Sequence, residues 1–347
     1  MRYSTWLAGL FVVVGTNICL GQAQKLREVI HDTGATCNTA AVFRIRVFRG
    51  KETDDSSPQS ERIYFQIRTR PEPKASDNVL LVWLGRTTHV DMHSGEMHVG
   101  PHKELHARVK DRIFASNVSN QLLPFSPREI TPLQEEEAYA KLITSAGRRA
   151  DMNPLALPFL TTDAFYSENY DLPAVKSRFR LLQLAYEDKE EWRSVWTYPK
   201  NGNVVEVRLS PKFGHRPVET SYYNKKPKSP NPEKGKELGE LVYRTQTTWE
   251  HTTLKDTTDT KAKQRKVWLP KKIVFEQFPH GKNNTQNVIE IVILWRRVSD
   301  DILSVPAVEN QIPIAAEIAP PNEPISELYY NMLSDLEALI EAEEEKH

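Results

Sequence analysis

The sequence predicts an α+β fold that is built mainly from one antiparallel sheet of about ten to twelve strands. Seven segments between residues 175 and 298 are rich in β-branched and aromatic residues, and turn or loop compositions separate them. Most of the connections are too short for helical crossovers, so neighbouring strands should be antiparallel. Because strongly twisted open sheets of that size curl, and few helical segments are available to cover them, we expect a curved sheet.

The seven segments alternate as strands do. They are residues 175–186, 192–198, 204–209, 217–223, 241–253, 267–278 and 288–298. In the fifth, Tyr243 and Trp249 share one face while Arg244 points to the other, as the two-residue period of a strand requires. The last is apolar on both faces apart from Glu290, which predicts a central strand that is covered on both sides.

The N-terminal part predicts a short entry helix over 24–32 and further strands. Residues 41–48 and 62–70 alternate, and the charged, Ser-rich stretch 50–60 between them is typical of a hairpin loop. Residues 79–84 form an apolar run that indicates a buried strand, which Gly85 should end.

Residues 128–166 depart from the strand pattern and predict a helical insert. The sequence Ser126-Pro-Arg-Glu129 is typical of a helix start, and apolar residues follow it at helical spacing. Pro154 and Pro158 should interrupt the helix. The insert would separate two groups of strands within a single domain over 24–305.

The C-terminal segment 306–347 combines a Pro-rich linker (306–324) with an amphipathic helix. The helix carries an apolar stripe of Leu328, Met332, Leu336 and Leu339. We expect this stripe either to fold back over the sheet or to dock on a partner protein of the cell envelope.

The first 23 residues have the organisation of a secretory signal peptide. A basic start is followed by the apolar run Trp6 to Val14, and Gly21 and Ala23 are small residues at cleavage spacing. The run is shorter than the roughly 20 apolar residues that a transmembrane helix needs. We therefore expect export to the periplasm or the extracellular space, cleavage after Gly21 or Ala23, and no transmembrane segment in the mature chain.

Composition argues against two classes of protein. The chain has 46 basic and 46 acidic side chains, so no overall field attracts nucleic acid, and we expect no nucleic-acid partner. Of its two cysteines, Cys19 lies in the signal and Cys37 alone remains, which excludes an internal disulfide framework in the mature chain.

Histidines are the most concentrated candidates for chemistry. Five of them fall within 18 residues: His89, His93, His98, His102 and His106. Gly100-Pro101 interrupts any common helix face, and Glu104 does not directly follow His102 as the zinc-protease motif requires. We expect surface histidines on a hairpin and its loop, and no metal site.

Catalytic and cofactor motifs are absent from the sequence. It contains no Gly-x-Ser-x-Gly nucleophile elbow and no Gly-rich phosphate loop, and Cys37 has no recognisable histidine partner motif. We therefore expect no catalytic residue, no cofactor and no enzymatic activity.

Two segments carry a resemblance to a known family. Val204-Val-Glu-Val-Arg-Leu-Ser-Pro-Lys-Phe-Gly-His-Arg-Pro-Val218 is a strand, a tight Pro/Gly turn and a returning strand, and 267–275 is a strand that one proline interrupts. Over residues 37–300 the chain resembles the outer-membrane lipoprotein-carrier superfamily, the LolA/LolB-like secreted bacterial proteins. The resemblance implies a curved half-barrel whose concave face holds acyl chains beneath a helical lid. No motif matches residue by residue, so it assigns no binding residue.

The sequence thus predicts a non-enzymatic binding protein that holds a lipid or another apolar ligand on the concave face of its sheet. The candidate lining residues are Tyr243, Trp249, Ile273, Phe275, Ile293 and Trp295. Two alternatives stay open. The same residues can pack against a helix as an ordinary core, or the protein can be a structural or interaction module of the cell envelope with no small ligand.

Overall fold

The computed structural model describes two helices, two 3-10 turns and twelve strands. Its described residues are 21–34, 38–49, 58, 60–69, 78–90, 97–109, 112–117, 154–155, 157–159, 179–224, 238–255, 264–278, 287–299, 301–303 and 324–345. The helices are α1 (Gly21–Gly34) and α2 (Pro324–Glu344), and the 3-10 turns are Leu157–Phe159 and Pro211–Phe213.

The strands follow the chain in two groups. The first group is β1 (Thr39–Arg49), β2 (Ser60–Thr69), β3 (Asn78–Val90), β4 (Met97–Val109) and β5 (Arg112–Asn117). The second group is β6 (Gln183–Asp188), β7 (Arg193–Thr197), β8 (Val204–Ser210), β9 (Arg216–Tyr223), β10 (Leu241–Lys255), β11 (Gln264–Gln277) and β12 (Asn287–Arg297).

All twelve described strands belong to one antiparallel sheet in the order β5-β4-β3-β2-β1-β12-β11-β10-β9-β8-β7-β6. Each group is a meander, and the two meet at the central pair β1–β12, where Phe43 lies opposite Ile293. Strands β5 and β6 lie at opposite edges, so the sheet is not closed. The predicted class, a mainly antiparallel α+β fold around one sheet, is confirmed.

Helix α1 covers one face of the sheet, which we call the α1 face. Leu26, Val29 and Ile30 recur at helical spacing, are 0 to 2% exposed and pack into one cluster with sheet residues such as Phe43 and Trp196. The 3-10 turn 157–159 packs on the same face, where the Thr220 hydroxyl donates a hydrogen bond to the carbonyl oxygen of Pro158 at 2.7 Å. Helix α1 is longer than the predicted 24–32.

Helix α2 covers the opposite face, the α2 face, over β1, β2 and β12. Its buried residues Ile325, Met332, Leu336 and Ile340 pack into one cluster with sheet residues that include Phe65. Of the predicted stripe, Met332 and Leu336 are buried, whereas Leu328 and Leu339 are half-buried. Of the two expectations for this helix, the structure therefore shows the one in which it folds back on its own sheet. The linker 306–323 lies outside the described residues.

Charged side chains recur on the α2 face from β7 to β12, mostly in cross-strand pairs. Glu206 is 3% exposed and forms ion pairs with Arg193 and with Arg208, the latter at 3.4 Å. The Arg244–Glu276 and Lys272–Glu290 pairs, at 2.6 Å each, continue the pattern on β10 to β12. Part of the α2 face that the helix does not cover therefore carries paired charges.

Two local predictions were wrong. Residues 179–181 form a helical turn rather than the start of the strand predicted over 175–186, and β6 begins at Gln183. Phe179 and Leu182 are buried while Leu181 is 72% exposed, which is a helical spacing that the strand interpretation missed. Gly85 does not end β3, because that strand continues to Val90.

The remaining predictions on organisation have mixed outcomes. The hairpin between β1 and β2 is confirmed by their antiparallel register. Most of the predicted helical insert 128–166 lies outside the described residues, which include only 154–155 and 157–159 of it. Among the described helices, neither is both long enough and apolar enough to cross a bilayer.

Candidate functional site

The six predicted lining residues lie on the α1 face, on β10, β11 and β12. Five of them are buried, with exposed fractions of 0% for Ile273, 1% for Ile293, 3% for Trp249, 4% for Phe275 and 8% for Trp295. All five belong to the cluster that α1 covers. Their packing is that of an ordinary core, and their role in ligand binding stays a prediction.

Both tryptophans of this set are held by hydrogen bonds at their polar ends. The indole N–H of Trp249 donates to the carbonyl oxygen of Pro217, and that of Trp295 donates to the carbonyl oxygen of Pro270, each at 2.7 Å. A buried indole N–H that has a partner avoids an uncompensated desolvation cost. The two side chains are therefore anchored within the core.

Tyr243 is the exception among the six, because it is half-buried and begins a series of rings that leads out of the core. Its ring stacks on Phe275 with centroids 5.7 Å apart. On the other side it meets Tyr222 at 6.1 Å, and Tyr222 meets Tyr198 at 6.3 Å. We call Tyr198, Tyr222, Tyr243 and Phe275 the aromatic row.

Strand register places these rings side by side. Tyr222 lies directly opposite Tyr243 in the β9–β10 pair, and Phe275 is on the neighbouring strand β11, where it faces Thr245 and packs diagonally on Tyr243. Such opposite and diagonal neighbours are within reach of aromatic side chains. The row therefore follows from pairing between strands that are separate in the sequence.

A tight turn after β7 fixes the outer end of the row. The Tyr198 N–H donates to the carbonyl oxygen of Asn203 at 2.9 Å, and the Gly202 N–H donates to the carbonyl oxygen of Tyr198 at 2.7 Å. Gly202 has a φ of +73°, which glycine adopts without steric cost. The side-chain amide of Asn203 also donates to the hydroxyl oxygen of Tyr222, so the turn holds two of the four rings.

Aliphatic side chains extend the row toward the centre of the sheet. Val47 and Ile289 face each other across the β1–β12 pair, and Phe275 lies opposite Ile289 across β11–β12. Val47 and Ile289 are half-buried and pack on the same core cluster. Together with three half-buried tyrosines they give the α1 face a partly exposed apolar strip.

The partly exposed strip offers a ligand apolar surface and tyrosine hydroxyl groups. The opposite face of the same strands is different in character: Tyr223, the residue after Tyr222, points to that face and donates a hydrogen bond to Glu206 at 3.3 Å. Burial, with a further contribution from the Glu206 carboxylate, raises the pKa of Tyr223 to about 12. Ionised pairs thus lie on one face of these strands, and the aromatic row lies on the other.

A second group of rings lies at the other end of the same strands. The rings of Trp192 and His215 are tilted against each other with centroids 4.4 Å apart, and the ring of Trp268 lies 5.5 Å from that of Phe213 and 4.7 Å from that of His251. Trp192 and His215 both have left-handed backbones, with φ of +50° and +62°. That conformation costs free energy for residues with a side chain, so both positions carry backbone strain.

The electrostatics of His215 favour the neutral imidazole. Burial lowers its pKa, and the positive charges of Lys25 and Arg216 lower it further. Sequence reasoning missed this second group, because it depends on backbone conformations that no residue pattern signals.

Four of the five clustered histidines lie on the paired strands β3 and β4, as the predicted hairpin requires, and their exposure at the surface stays a prediction. His89 on β3 is opposite His98 on β4, and His102 and His106 are also on β4. Within the described residues, no three His, Cys, Asp or Glu side chains are grouped so that they could hold a metal ion. His93 and Cys37 lie outside the described residues.

No protein-family model matches this chain, and no curated protein sequence matches it either.

Proposed function

We propose that this chain is an exported, non-enzymatic binding protein that holds a lipid or another apolar ligand against the aromatic row. The observation that carries the proposal is the row itself. Three half-buried tyrosines and one buried phenylalanine lie with successive ring centroids 5.7 to 6.3 Å apart across adjacent strands. Binding sites for apolar ligands combine such surfaces with a few polar groups that orient the ligand.

We propose an extended acyl chain as the ligand, because the strip is lined by aliphatic side chains and aromatic rings. Val47, Ile289 and the rings would contact its methylene groups, and each CH₂ that leaves water contributes about 0.8 kcal/mol. The tyrosine hydroxyls would meet the polar end of the ligand, since aromatic residues with one polar atom suit a boundary between apolar and wet surroundings.

The proposal takes the sheet as a curved half-barrel with the α1 face on its concave side. Helix α1 and the 3-10 turn 157–159 fill the middle of that face, and the partly exposed strip lies beside them. The α1 face is therefore packed at its centre and partly exposed beside it. That arrangement supports a relation to the LolA/LolB-like carriers, in which a sheet face and a helical lid enclose acyl chains.

The alternative, an envelope interaction module that docks through the C-terminal helix, has less support. Met332 and Leu336 are 0% and 1% exposed on the chain's own sheet, so the apolar stripe of α2 is already used. A partner would have to displace that packing before it could bind the stripe.

Titration with a fluorescent fatty acid tests the proposal, together with mass spectrometry of the purified protein for co-purified lipid. Tyr243→Asp should weaken binding by about tenfold or more. Burying an uncompensated carboxylate against an apolar ligand costs more than about 1.4 kcal/mol of binding free energy, which corresponds to a factor of ten in affinity. Tyr330→Asp is the matched control, because Tyr330 is 39% exposed on α2, away from the row.

Both variants are first compared with the wild type by circular dichroism and thermal unfolding. Tyr243 is preferred to Trp249 or Phe275 because an aspartate at either buried position would unfold the core. Absence of saturable binding by the wild type, with no co-purified lipid, would refute the proposal. Equal affinities of Tyr243→Asp and Tyr330→Asp would refute the assigned surface.

A further inference from the structure

We infer that export cleaves the chain between Gly21 and Gln22, so that the mature protein begins at Gln22 and its new ammonium group pairs with the carboxylate of Glu187. Hydrolysis of this peptide bond consumes one water and leaves a carboxylate on Gly21 and an ammonium on Gln22. The inference goes beyond the proposed function, because it assigns a processing site and an acceptor for the new terminus.

Glu187, on edge strand β6, caps the start of helix α1. One of its carboxylate oxygens accepts the Gln22 N–H at 3.3 Å, and the other accepts the Ala23 N–H. The first N–H groups of a helix have no partner within the helix, and an anion at that end is favoured by the helix dipole. The contact joins residues that are 165 positions apart in the chain.

Gln22 and Ala23 are integral parts of the folded chain. Gln22 is 4% exposed, its amide donates to the carbonyl oxygen of Asp188 at 2.9 Å, and its amide oxygen accepts the Ser194 hydroxyl at 3.5 Å. Ala23 is 2% exposed within the core of the α1 face. A chain that began at Gln24 would lose all of these contacts and leave the Glu187 carboxylate without both amide donors.

Gly21 is the first residue of α1 and, unlike Gln22 and Ala23, it is not packed against the rest of the fold. It is exposed, and a side chain placed there would meet nothing within 4 Å. Cleavage after Gly21 also puts small residues, Cys19 and Gly21, at the two positions that signal peptidase reads. The sequence alone permits cleavage after Ala23 as well, and the packing of Gln22 and Ala23 separates the two choices.

The carboxylate of Glu187 is suited to a cationic partner. Burial raises its pKa, and the two amide N–H groups lower it only in part. Cleavage would convert the Gln22 backbone nitrogen, whose N–H donates to Glu187 at 3.3 Å, into an ammonium group. A charge-assisted hydrogen bond from that ammonium is stronger than one from a neutral amide. The bonds to Asp188 and Ser194 also hold the Gln22 amide away from its own terminus, so we expect no cyclisation to pyroglutamate.

The test is intact-mass analysis and N-terminal sequencing of the protein after export from cells that express the full chain. The expected terminus is Gln22 with an open side chain. A terminus at Gln24 would overturn the inference while leaving export intact, and a terminus at Met1 would overturn both export and the cleavage.

A stability comparison tests the role of Glu187 independently. In a chain that begins at Gln22, Glu187→Gln should lower the melting temperature by several degrees. The same substitution in a chain that begins at Gln24 should have almost no effect, because the donors are gone. Glu28→Gln is the matched control, since Glu28 is exposed and its carboxylate accepts hydrogen bonds from Gln24 and Lys25 of the same helix. An equal effect of Glu187→Gln and Glu28→Gln in the Gln22 chain would overturn the pairing.

Discussion

Truncation of Met332 to alanine measures whether helix α2 is a fixed part of the fold. Met332 is 0% exposed and packs in the cluster that joins α2 to β1, β2 and β12. Replacing a buried methionine with alanine removes apolar contact and leaves a cavity, and such changes cost about 2 to 5 kcal/mol. Since a domain is stable by about 5 to 15 kcal/mol, we expect a large fraction of the free energy of unfolding to be lost.

The assay is urea unfolding, followed by tryptophan fluorescence, of the wild type and two single variants. Glu337→Ala is the control because Glu337 is exposed on the same helix, and surface substitutions of this kind stay within about 0.5 kcal/mol. Both variants replace a long side chain with alanine on one helix, so a change in helix propensity affects them similarly.

Equal stabilities of Met332→Ala and Glu337→Ala would refute the docking of α2 on its own sheet. Deletion of residues 325–347 supplies a second measure, since removal of a docked helix lowers the melting temperature. If stability holds while binding to an envelope protein is lost, the interaction-module alternative gains the support that it now lacks.

Three further predictions concern the core, a turn and the response to alkali. Phe159→Ala should lower the free energy of unfolding by about 3 to 5 kcal/mol in urea, because Phe159 is 0% exposed. Leu181→Ala is the control, since Leu181 is 72% exposed, and an equal loss in both variants would contradict the prediction. Gly214→Ala should lower the melting temperature, since Gly214 has a φ of +60° and the new Cβ would lie 2.9 Å from Nη1 of Arg216. An unchanged melting temperature would show that alanine is tolerated at this turn without strain. The pKa of Tyr223 is raised from 10.0 to about 12, so the unfolded chain releases this proton first and the folded chain should lose stability between those pH values. Tyr223→Phe should remove that part of the alkaline loss in pH-dependent unfolding, and an identical slope would contradict the assignment.

The strands from β7 to β12 could be predicted because the two-residue alternation of apolar and polar residues is strong there. Predicted and observed ends differ by a few residues, as for 241–253 against Leu241–Lys255. The segment 175–186 failed because Phe179 and Leu182 follow a helical spacing that is too short to stand out. Local periodicity therefore predicts long strands well and a single helical turn poorly.

The candidate site was predictable only in part. Alternation placed six apolar residues on one face, and the structure brings them together there. The exposure of each of the six depends on where Leu26 and Ile30 of α1 pack on the sheet. Helix α1 is far from these strands in the sequence, so local alternation does not predict that packing. The aromatic row depends on the pairing of Tyr222 with Tyr243 and on the turn after β7, neither of which a single segment specifies.

The pairing of β1 with β12 has a consequence for the order in which the protein can assemble. Residues 39–49 and 287–297 are neighbours in space, although almost the whole domain separates them in the chain. Each meander consists of local hairpins that can form early, but the seam between the two meanders requires the last strand to reach the first. During synthesis the inward edge of the first meander, strand β1, stays unpaired until β12 is available. Folding of this chain should therefore be completed at its centre and only after nearly all of it has emerged.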